Sequence, residues 1–315
     1  MTNIWYLQIN RICNHDCIYC SNPSFGKMMD LQEVKDWLAS LKASWYDSII
    51  LTGGEPTIHP HIFEIIRLVN ENWLKTRIIT NWTGFANEEF TAKIKEIWVE
   101  LVHISFYTYD GKLTDYIRRF DWAFKNIVKA FLNLRKYGIE TQTTTAISKL
   151  NQDHLLKNVI FTKKVYPEIK HFVWNVLDPK VMKKTQEAID SLPDLNNITD
   201  ELVKTFSYLE SIWNTFRIEK IPLCKIPWFE RANTECRKLI KNQSRKVIFL
   251  DERQTVEQQP EGFRYDYLPE CKDCALYDVC GWVFVKDEFY PDVTVEPLKD
   301  KKYLKKLQDI VLRDK

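Results

Sequence analysis

Long apolar segments are missing from this sequence, and so is any strong excess of charge of one sign. The apolar run that follows Met1 is interrupted by polar side chains from Asn10 to Asp16, which predicts neither a signal peptide nor a membrane span. The net charge of +2 gives no strong attraction to nucleic acid or to a membrane surface. We therefore expect a cytoplasmic protein with no membrane partner and no clear nucleic-acid partner.

Cysteine is absent from the long stretch between Cys20 and Cys224. The eight cysteines instead form groups, with three at 13–20, two at 224 and 236, and three at 271–280. Because the cytoplasm is reducing, a disulfide framework is not expected. Clustering of this kind predicts metal sites.

Glycine is scarce, and several common catalytic motifs do not occur. There are eight glycines in 315 residues, none of them between Gly138 and Gly262. The sequence has no Walker loop, no Ser-His-Asp arrangement, no zinc-protease motif and no solenoid repeat. Hydrophobic residues make up 45% and charged residues 28%, which are values of an ordinary globular protein. The chain is long enough for a full α/β core and a small second domain.

Short β-rich runs alternate with helical patterns over the first two-thirds of the chain. Strands are predicted at 4–9, 48–52, 77–80, 102–105, 140–147 and 171–176. Helices are predicted at 31–41, with Asp30 as N-cap, and at 61–73, 88–98, 117–137 and 152–165. Six strand–helix units predict a parallel sheet covered by helices, and they are too few for a closed eight-stranded barrel. We expect an α/β fold, a partial (β/α)6 TIM-like barrel whose functional face lies at the C-terminal strand ends.

The character of the sequence changes after Pro179. A helix is predicted at 200–216, an irregular segment with prolines and cysteines follows, and an amphipathic helix at 301–312 closes the chain. The predicted domains are therefore 1–179, the partial barrel, and 180–315, a C-terminal cysteine-rich extension that ends in a capping helix.

The first cysteine group lies on one loop directly after the first strand. Cys13, Cys17 and Cys20 follow the spacing Cys-x3-Cys-x2-Cys. Three thiolates can hold one [4Fe–4S] cluster and leave its fourth iron without a protein ligand, which makes that iron a site for chemistry. The alternative is a zinc knuckle with His15 as fourth ligand, although zinc sites usually use paired cysteines with a second ligand pair.

A glycine-rich segment ends the second predicted strand. Gly53 and Gly54 allow the backbone to approach a ligand closely, and a carbonyl or carboxylate beside them can accept hydrogen bonds from an ammonium group. The segment continues with Glu55 and Pro56. Alone, a double glycine after a strand is usually only a turn.

Together, these two motifs resemble the radical S-adenosylmethionine (SAM) superfamily, in which an aromatic residue, here Tyr19, precedes the third cysteine. The resemblance implies that the open iron takes the amino and carboxylate groups of SAM and that an electron from the cluster yields a 5′-deoxyadenosyl radical. It also implies an electron donor such as flavodoxin or ferredoxin. By the same resemblance, Tyr19 lies near the adenine, and the segment Gly53, Gly54, Glu55 and Pro56 contacts the SAM amino group.

Weaker matches lie at the ends of later strands. Trp82 stands where relatives often carry glycine, and Tyr107 stands where they often carry aspartate. The family's glycine-containing adenine segment is absent, since no glycine follows Gly138 before Gly262. The resemblance makes four polar residues candidate cofactor contacts, although turn chemistry explains their positions nearly as well. These residues are Asn81, Ser105, Thr145 and Asn175.

The C-terminal cysteines have the spacing Cys-x2-Cys-x5-Cys. With Cys224 they provide four thiolates, enough to close a second [4Fe–4S] cluster, and the arrangement resembles the auxiliary-cluster extensions of the twitch and SPASM subgroups. The metal ligands would be Cys224, Cys271, Cys274 and Cys280. Zinc is the alternative for four thiolates. Cys236 remains as a buried thiol or as a ligand in place of Cys224.

The substrate is the least determined feature. The resemblance favours modification of a ribosomally made peptide, and the alternative is a small molecule, nucleotide or sugar. A hypothesis of another class is a non-catalytic zinc or iron–sulfur binding module.

Overall fold

The computed structural model describes residues 4–22, 26–42, 47–250, 254–281 and 286–314. The chain divides into two units. The first consists of Met1–Thr144, Phe161–Ile169 and Arg245–Glu257, and the second of Thr145–Ile160, Lys170–Ser244 and Gln258–Lys315.

The strands form one sheet. Their bounds are β1 Ile4–Asn10, β2 Ser48–Gly53, β3 Lys75–Thr80, β4 Leu101–Ser105, β5 Thr141–Ile147, β6 His171–Val176, β7 Thr215–Glu219, β8 Arg245–Phe249 and β9 Gln254–Gln258. The strand order is β7-β6-β5-β4-β3-β2-β1-β8-β9. The pairs β1–β2, β2–β3, β3–β4, β4–β5, β6–β7 and β1–β8 are parallel. A parallel partial barrel was predicted from the sequence, and the observed half-barrel sheet confirms that prediction.

The register brings the ends of β1 and β2 together. Leu7 lies opposite Leu51, and after an irregularity in β1 Asn10 lies opposite Gly53. Since both strands run in the same direction, the loops that follow them leave the same edge of the sheet. These are the loops that carry the cysteine group and the Gly-Gly-Glu-Pro segment.

Most of the described helices lie between strands along the chain, and two follow the last strand. Their bounds are α1 Leu31–Lys42, α2 Ile62–Glu71, α3 Glu88–Ile97, α4 Gly111–Arg118, α5 Ala123–Lys136, α6 Leu155–Val165, α7 Gln186–Asp190, α8 Thr199–Ser211, α9 Thr234–Lys241, α10 Lys286–Phe289 and α11 Lys301–Arg313. Asp30 caps α1, because its carboxylate accepts the Glu33 N–H at 2.8 Å while Glu33 returns a bond to the Asp30 N–H. Across the part of the chain that is described, no helix is both long and apolar enough to cross a membrane.

Two sequence predictions of helices were wrong in their extent. The predicted helix 117–137 is two helices, because Arg119 adopts φ 50° and the N–H of Phe120 bonds back to Asp115, which ends α4. The predicted helix 200–216 ends at Ser211, and its last two predicted residues belong to β7, which begins at Thr215. The strands β7, β8 and β9 were not predicted, since short strands in a segment rich in proline and polar residues carry little periodic signal.

The core of the first unit lies between the sheet and its helices. Strand residues such as Leu7, Leu51 and Ile104 are fully buried, and α2 buries one apolar stripe that includes Ile65 and Ile66. Fully burying a side chain of this size stabilises the fold by about 1.5–3 kcal/mol. This packing fixes the strand ends from which the site is built.

Candidate functional site

The three cysteines of the first group lie close enough to influence one another electrostatically. Burial, together with the charges of Glu55, Cys17 and Cys20, raises the pKa of Cys13 to about 11 against the opposing effect of a backbone hydrogen bond. The Cys13 sulfur accepts the backbone N–H of His15 at 3.5 Å. A thiol in this setting is protonated at neutral pH, whereas a bound metal cluster would favour the thiolate.

The twin glycines bring the cysteine loop against the end of β2. The Gly54 N–H donates to the Asn10 carbonyl at 2.5 Å, and the Glu55 N–H donates to the Ile12 carbonyl at 2.9 Å. A Cβ at Gly53 would meet the Asn10 oxygen at 1.9 Å, and one at Gly54 would meet the Ile12 oxygen at 2.2 Å. The glycines are thus required for contact between two backbone segments, a reason that the sequence did not provide.

Glu55 is fully buried, and its carboxylate accepts four hydrogen bonds. One oxygen accepts the Thr57 N–H at 3.0 Å, the Thr57 hydroxyl at 2.5 Å and the Thr80 hydroxyl at 2.7 Å, and the other accepts the Asn81 N–H at 2.6 Å. Burial raises the pKa of Glu55, and these hydrogen bonds oppose that rise. The carboxylate therefore joins the ends of β2 and β3.

Asn81 connects the end of β3 to the cysteine loop. Its amide nitrogen donates to the Cys13 sulfur at 3.7 Å and to Asn14 at 2.9 Å, while its oxygen accepts the N–H and the hydroxyl of Thr83 at 3.0 and 2.6 Å. These bonds use all four positions of the amide group. Within this structure Asn81 orders the loop, and its predicted contact with the cofactor stays a prediction.

Arg118, the last residue of α4, is a buried cation beside the thiols. It is 2% exposed, its Nη2 donates to the Ser105 carbonyl at 2.5 Å, and its Nε has no hydrogen-bond partner among the described residues. Burial lowers the pKa of Arg118, but Tyr107, Cys17 and further nearby groups raise it, and the net direction is upward. Sequence reasoning missed Arg118, because nothing in the helix pattern distinguishes it from Arg119.

The ring of His15, on the cysteine loop, packs against two aromatic rings. Its ring centroid is 4.8 Å from that of Trp82 and 4.6 Å from that of Phe120. Burial, together with the nearby charge of Arg118, lowers the pKa of His15 to about 3. Neither ring nitrogen has a hydrogen-bond partner within the described residues, so His15 is a neutral ring packed against other rings.

The remaining predicted cofactor contacts lie in different places. Tyr19 is buried, with its ring centroid 5.7 Å from that of Tyr107, and Ser105 ends β4. Thr145 and Asn175 belong to β5 and β6 in the second unit. Their roles toward the cofactor stay predictions.

The donor set of the first unit suits a negatively charged cluster with an anionic ligand. Three thiols share a loop, and beside them a buried guanidinium keeps an unused N–H donor, which favours an anion. Over the described ranges, no three His, Cys, Asp or Glu side chains lie close enough together to hold one metal ion.

The second unit contains a cavity of about 540 Å³ lined by four cysteines. They are the predicted ligands Cys224, Cys271, Cys274 and Cys280. Burial raises the pKa of Cys224, whose sulfur also accepts the backbone N–H of Glu296. The hydroxyl of Tyr267 donates to the Cys280 carbonyl at 2.7 Å and holds one wall in place. Residues that are far apart in sequence thus present four sulfurs to one cavity.

Cys236 does not line this cavity. It is fully buried near the start of α9, where its N–H donates to the Asn233 side chain at 2.7 Å. Burial raises its pKa, and Cys280 raises it further. This placement favours a buried thiol as the role of Cys236.

Comparison with known proteins gives one family and several distant relatives. Residues 7–159 match the model described as the radical SAM superfamily. The chain is 26% identical over 157 residues to an AdoMet-dependent heme synthase of Methanosarcina barkeri, covering 49% of this chain and 45% of the relative. It is 25% identical over 220 residues to a GTP 3′,8-cyclase of Chlorobaculum tepidum, covering 64% and 66%. The chain thus spans about half to two-thirds of the length of these curated relatives.

Solved structures with a similar fold cover more of the chain. Native anSMEcpe with bound AdoMet has a TM-score of 0.66 at 14% identity and covers 99% of this chain and 100% of its own. Streptococcus suis SuiB bound to the precursor peptide SuiA has a TM-score of 0.63 at 16% identity and covers 95% and 75%. At these identities the likeness shows the fold.

Proposed function

Since the chain carries a radical SAM domain and is an enzyme of that superfamily, we propose that Cys13, Cys17 and Cys20 hold the [4Fe–4S] cluster that this fold implies. When bound, the cluster and SAM supply a 5′-deoxyadenosyl radical that abstracts hydrogen from a substrate carbon. The observation that carries the proposal is a group of three thiols on a loop tied to the Gly-Gly-Glu segment, with the buried Arg118 of α4 beside them.

The residues of the chain hold and orient the cofactor. Arg118 is the proposed partner of the SAM carboxylate, because its buried Nε has a hydrogen to donate and no described acceptor. Gly53, Gly54, Glu55 and Pro56 keep the loop ends together, so that the backbone beside them can receive the SAM ammonium group. The other proposed SAM contacts are Tyr19, Asn81, Ser105, Thr145 and Asn175.

Production of 5′-deoxyadenosine tests this proposal. The protein is reconstituted anaerobically with iron and sulfide, reduced with dithionite and incubated with SAM. A triple Cys13→Ala, Cys17→Ala, Cys20→Ala variant is expected to form no 5′-deoxyadenosine, while Cys236→Ala, which changes a cysteine outside both proposed ligand sets, retains SAM cleavage. Undiminished cleavage by the triple variant would defeat the assignment of these cysteines, and absence of cleavage by the reduced parent protein would favour a non-catalytic metal-binding module.

A second [4Fe–4S] cluster is proposed for the cavity of the second unit. The support is the convergence of Cys224, Cys271, Cys274 and Cys280 on one cavity of about 540 Å³, since four thiolates close a cubane cluster. Changing Cys271 and Cys274 to Ala is expected to remove about half of the bound iron and to leave SAM cleavage at the first site. If elemental analysis finds zinc in the parent protein and the variant loses zinc with no loss of iron, this proposal is contradicted.

A peptide is the proposed substrate class. The support is the fold shared over most of the chain with SuiB, which was crystallised with a precursor peptide. The second candidate is a nucleotide or other small molecule, and the relative named as a GTP 3′,8-cyclase favours it. The proposed reductant is a flavodoxin or ferredoxin that supplies electrons to the first cluster.

Product analysis separates the two substrate classes. The reduced enzyme and SAM are incubated either with a peptide encoded beside the gene or with GTP. A peptide that loses two hydrogens while 5′-deoxyadenosine forms would support a maturase that crosslinks or oxidises its substrate. Conversion of GTP with an unchanged peptide would favour the second candidate instead.

A further inference from the structure

Six tryptophans adopt a backbone conformation that belongs to glycine. Over the described part of the chain, nine residues other than glycine have positive φ, and six of them are tryptophan. They are Trp73 (64°), Trp82 (95°), Trp98 (62°), Trp122 (67°), Trp213 (55°) and Trp228 (71°). Bulky side chains at positive φ are genuine outliers, whereas glycine adopts these angles without steric cost. Residues that do tolerate positive φ, such as Asn, account for only one of the nine, Asn242.

The end of α5 has glycine in this left-handed conformation. Gly138 has φ 57°, and its N–H donates to the Arg135 carbonyl at 3.1 Å. The next N–H, of Ile139, reaches back to the Leu134 carbonyl at 3.0 Å. This is a Schellman helix end, in which glycine is the usual left-handed residue.

Tryptophan occupies the same position at two other helix ends. After α2 the N–H of Trp73 donates to Asn70 at 2.9 Å, and the next N–H reaches Val69 at 3.3 Å. After α8 the N–H of Trp213 donates to Glu210 at 3.0 Å, and the next N–H reaches Leu209 at 2.9 Å. The hydrogen bonds match those around Gly138, so the three helix ends share one geometry and differ in one residue type.

The indole rings at five of the six positions have little packing to justify the strained backbone. Trp73 and Trp213 are each 92% exposed, and Trp228, Trp122 and Trp98 are 70%, 68% and 51% exposed. A buried tryptophan contributes a large apolar area to a core or an interface. Three of these five belong to the first unit and two to the second.

The amino-acid composition also indicates a shortage of glycine, as the backbone angles do. Average proteins contain about 7% glycine, but this chain has eight glycines in 315 residues and eleven tryptophans. Only three glycines of the described chain have positive φ. Glycine is therefore scarce, and six further glycines would restore a little under half of the shortfall from this average.

We infer that positions 73, 82, 98, 122, 213 and 228 carry glycine in the protein as the cell makes it, because the codon UGA encodes them. Some translation systems read UGA as tryptophan and others read it as glycine, while UGG encodes tryptophan. Tryptophans at ordinary backbone angles, such as Trp37 inside α1, carry no such signal. The inference is independent of the proposed function.

Position 82 gives the inference a consequence for the candidate active site. Trp82 is 2% exposed, lies 4.8 Å from the His15 ring and has an indole N–H with no partner among the described residues. Glycine at this position removes the indole beside the cysteine loop. The volume that it leaves lies next to the ring of His15, whose nitrogens also lack partners among the described residues.

Mass spectrometry of the protein purified from its natural source tests the inference. Peptides that span the six positions are expected to be lighter, for each position, by the mass difference between tryptophan and glycine. The gene is expected to carry UGA at all six positions. Intact tryptophan in these peptides, or UGG codons at these positions, would overturn the inference.

Recombinant variants provide a second test. Trp73→Gly and Trp213→Gly are each expected to raise the melting temperature by about 2–4 °C, since each removes a strained left-handed residue. Two controls lower it: Trp37→Gly introduces glycine into a helix interior, and Gly138→Trp introduces tryptophan at the matching helix end. A lower melting temperature for both Trp73→Gly and Trp213→Gly would contradict the inference.

Discussion

The guanidinium carbon of Arg118 lies 4.2 Å from the centroid of the Tyr107 ring. Burial raises the pKa of Tyr107 to about 12, which keeps the phenol neutral, and so the contact joins a cation to a neutral ring. Tyr107 stands where the family often has aspartate. Without a carboxylate at this position, the positive charge of Arg118 stays available to the thiols and to an anionic ligand.

Removing this charge is expected to change the redox properties of the first cluster. A nearby cation stabilises the reduced, more negative cluster, so Arg118→Met should lower the reduction potential by an amount on the order of 50 mV. The same variant should weaken SAM binding. An EPR-monitored redox titration measures the first effect, and the KM for SAM measures the second.

Arg135→Met is the matched control for this prediction. Arg135 lies in α5 of the same unit and pairs with Glu168 at a largely exposed site, where a charge has little effect. If Arg118→Met and Arg135→Met show the same potential and the same KM, the role assigned to Arg118 is wrong.

Glu55→Gln is expected to destabilise the first unit. The amide keeps one acceptor oxygen but replaces the other with an NH2 donor, which then faces buried donors such as the Asn81 N–H. Leaving a buried group without its partner costs about 1–3 kcal/mol. Urea unfolding measures the loss, and Glu64→Gln, at an exposed position of α2, should unfold like the parent protein.

Gly54→Ala is expected to reduce iron binding at the first site. Its Cβ would lie 2.2 Å from the backbone oxygen of Ile12, and a backbone atom cannot move aside as the end of a side chain can. The cysteine loop must therefore shift. Iron content after reconstitution measures the effect, and Gly262→Ala is the control because its Cβ would first meet the flexible Gln258 side chain at 3.0 Å. Equal iron in the two variants would count against the prediction.

His171 predicts a dependence of stability on pH. It lies in β6, its Nδ1 is 2.7 Å from the Thr215 hydroxyl, and burial, aided by Arg217, lowers its pKa to about 4. Between about pH 6.5 and pH 4 the unfolded chain binds a proton that the folded chain excludes, so the unfolding free energy falls as the pH falls through this window. Below about pH 4 both states are protonated, and the dependence ends.

A substitution of His171 should flatten this dependence. Between pH 7 and pH 5, His171→Gln is expected to lose about 1 kcal/mol less unfolding free energy than the parent, a value reduced for the partial exposure of the ring. Urea unfolding at the two pH values measures this difference. His61→Gln, at an exposed position, is the control, and equal pH dependence in the parent and in His171→Gln would refute the assignment.

The sequence by itself determined the features that depend on short stretches of chain. Cys13, Cys17 and Cys20 lie within eight residues, and the Gly-Gly-Glu-Pro segment is continuous, so spacing alone identified both motifs. The six predicted strands also came from local periodicity, and each is present in the sheet. Motifs and strands of this kind can be predicted from the sequence because residues that are neighbours along the chain determine them.

Tertiary structure alone decided which distant groups meet. It placed the buried guanidinium of Arg118 beside the thiols, directed the Glu55 carboxylate to the end of β3 and brought Cys224 to the cavity of Cys271. It also set β8 against β1, across more than two hundred residues of chain. Such contacts depend on how the whole sheet packs with its helices. The local sequence around one residue does not identify the distant residue that it will contact, because shape and burial determine that contact.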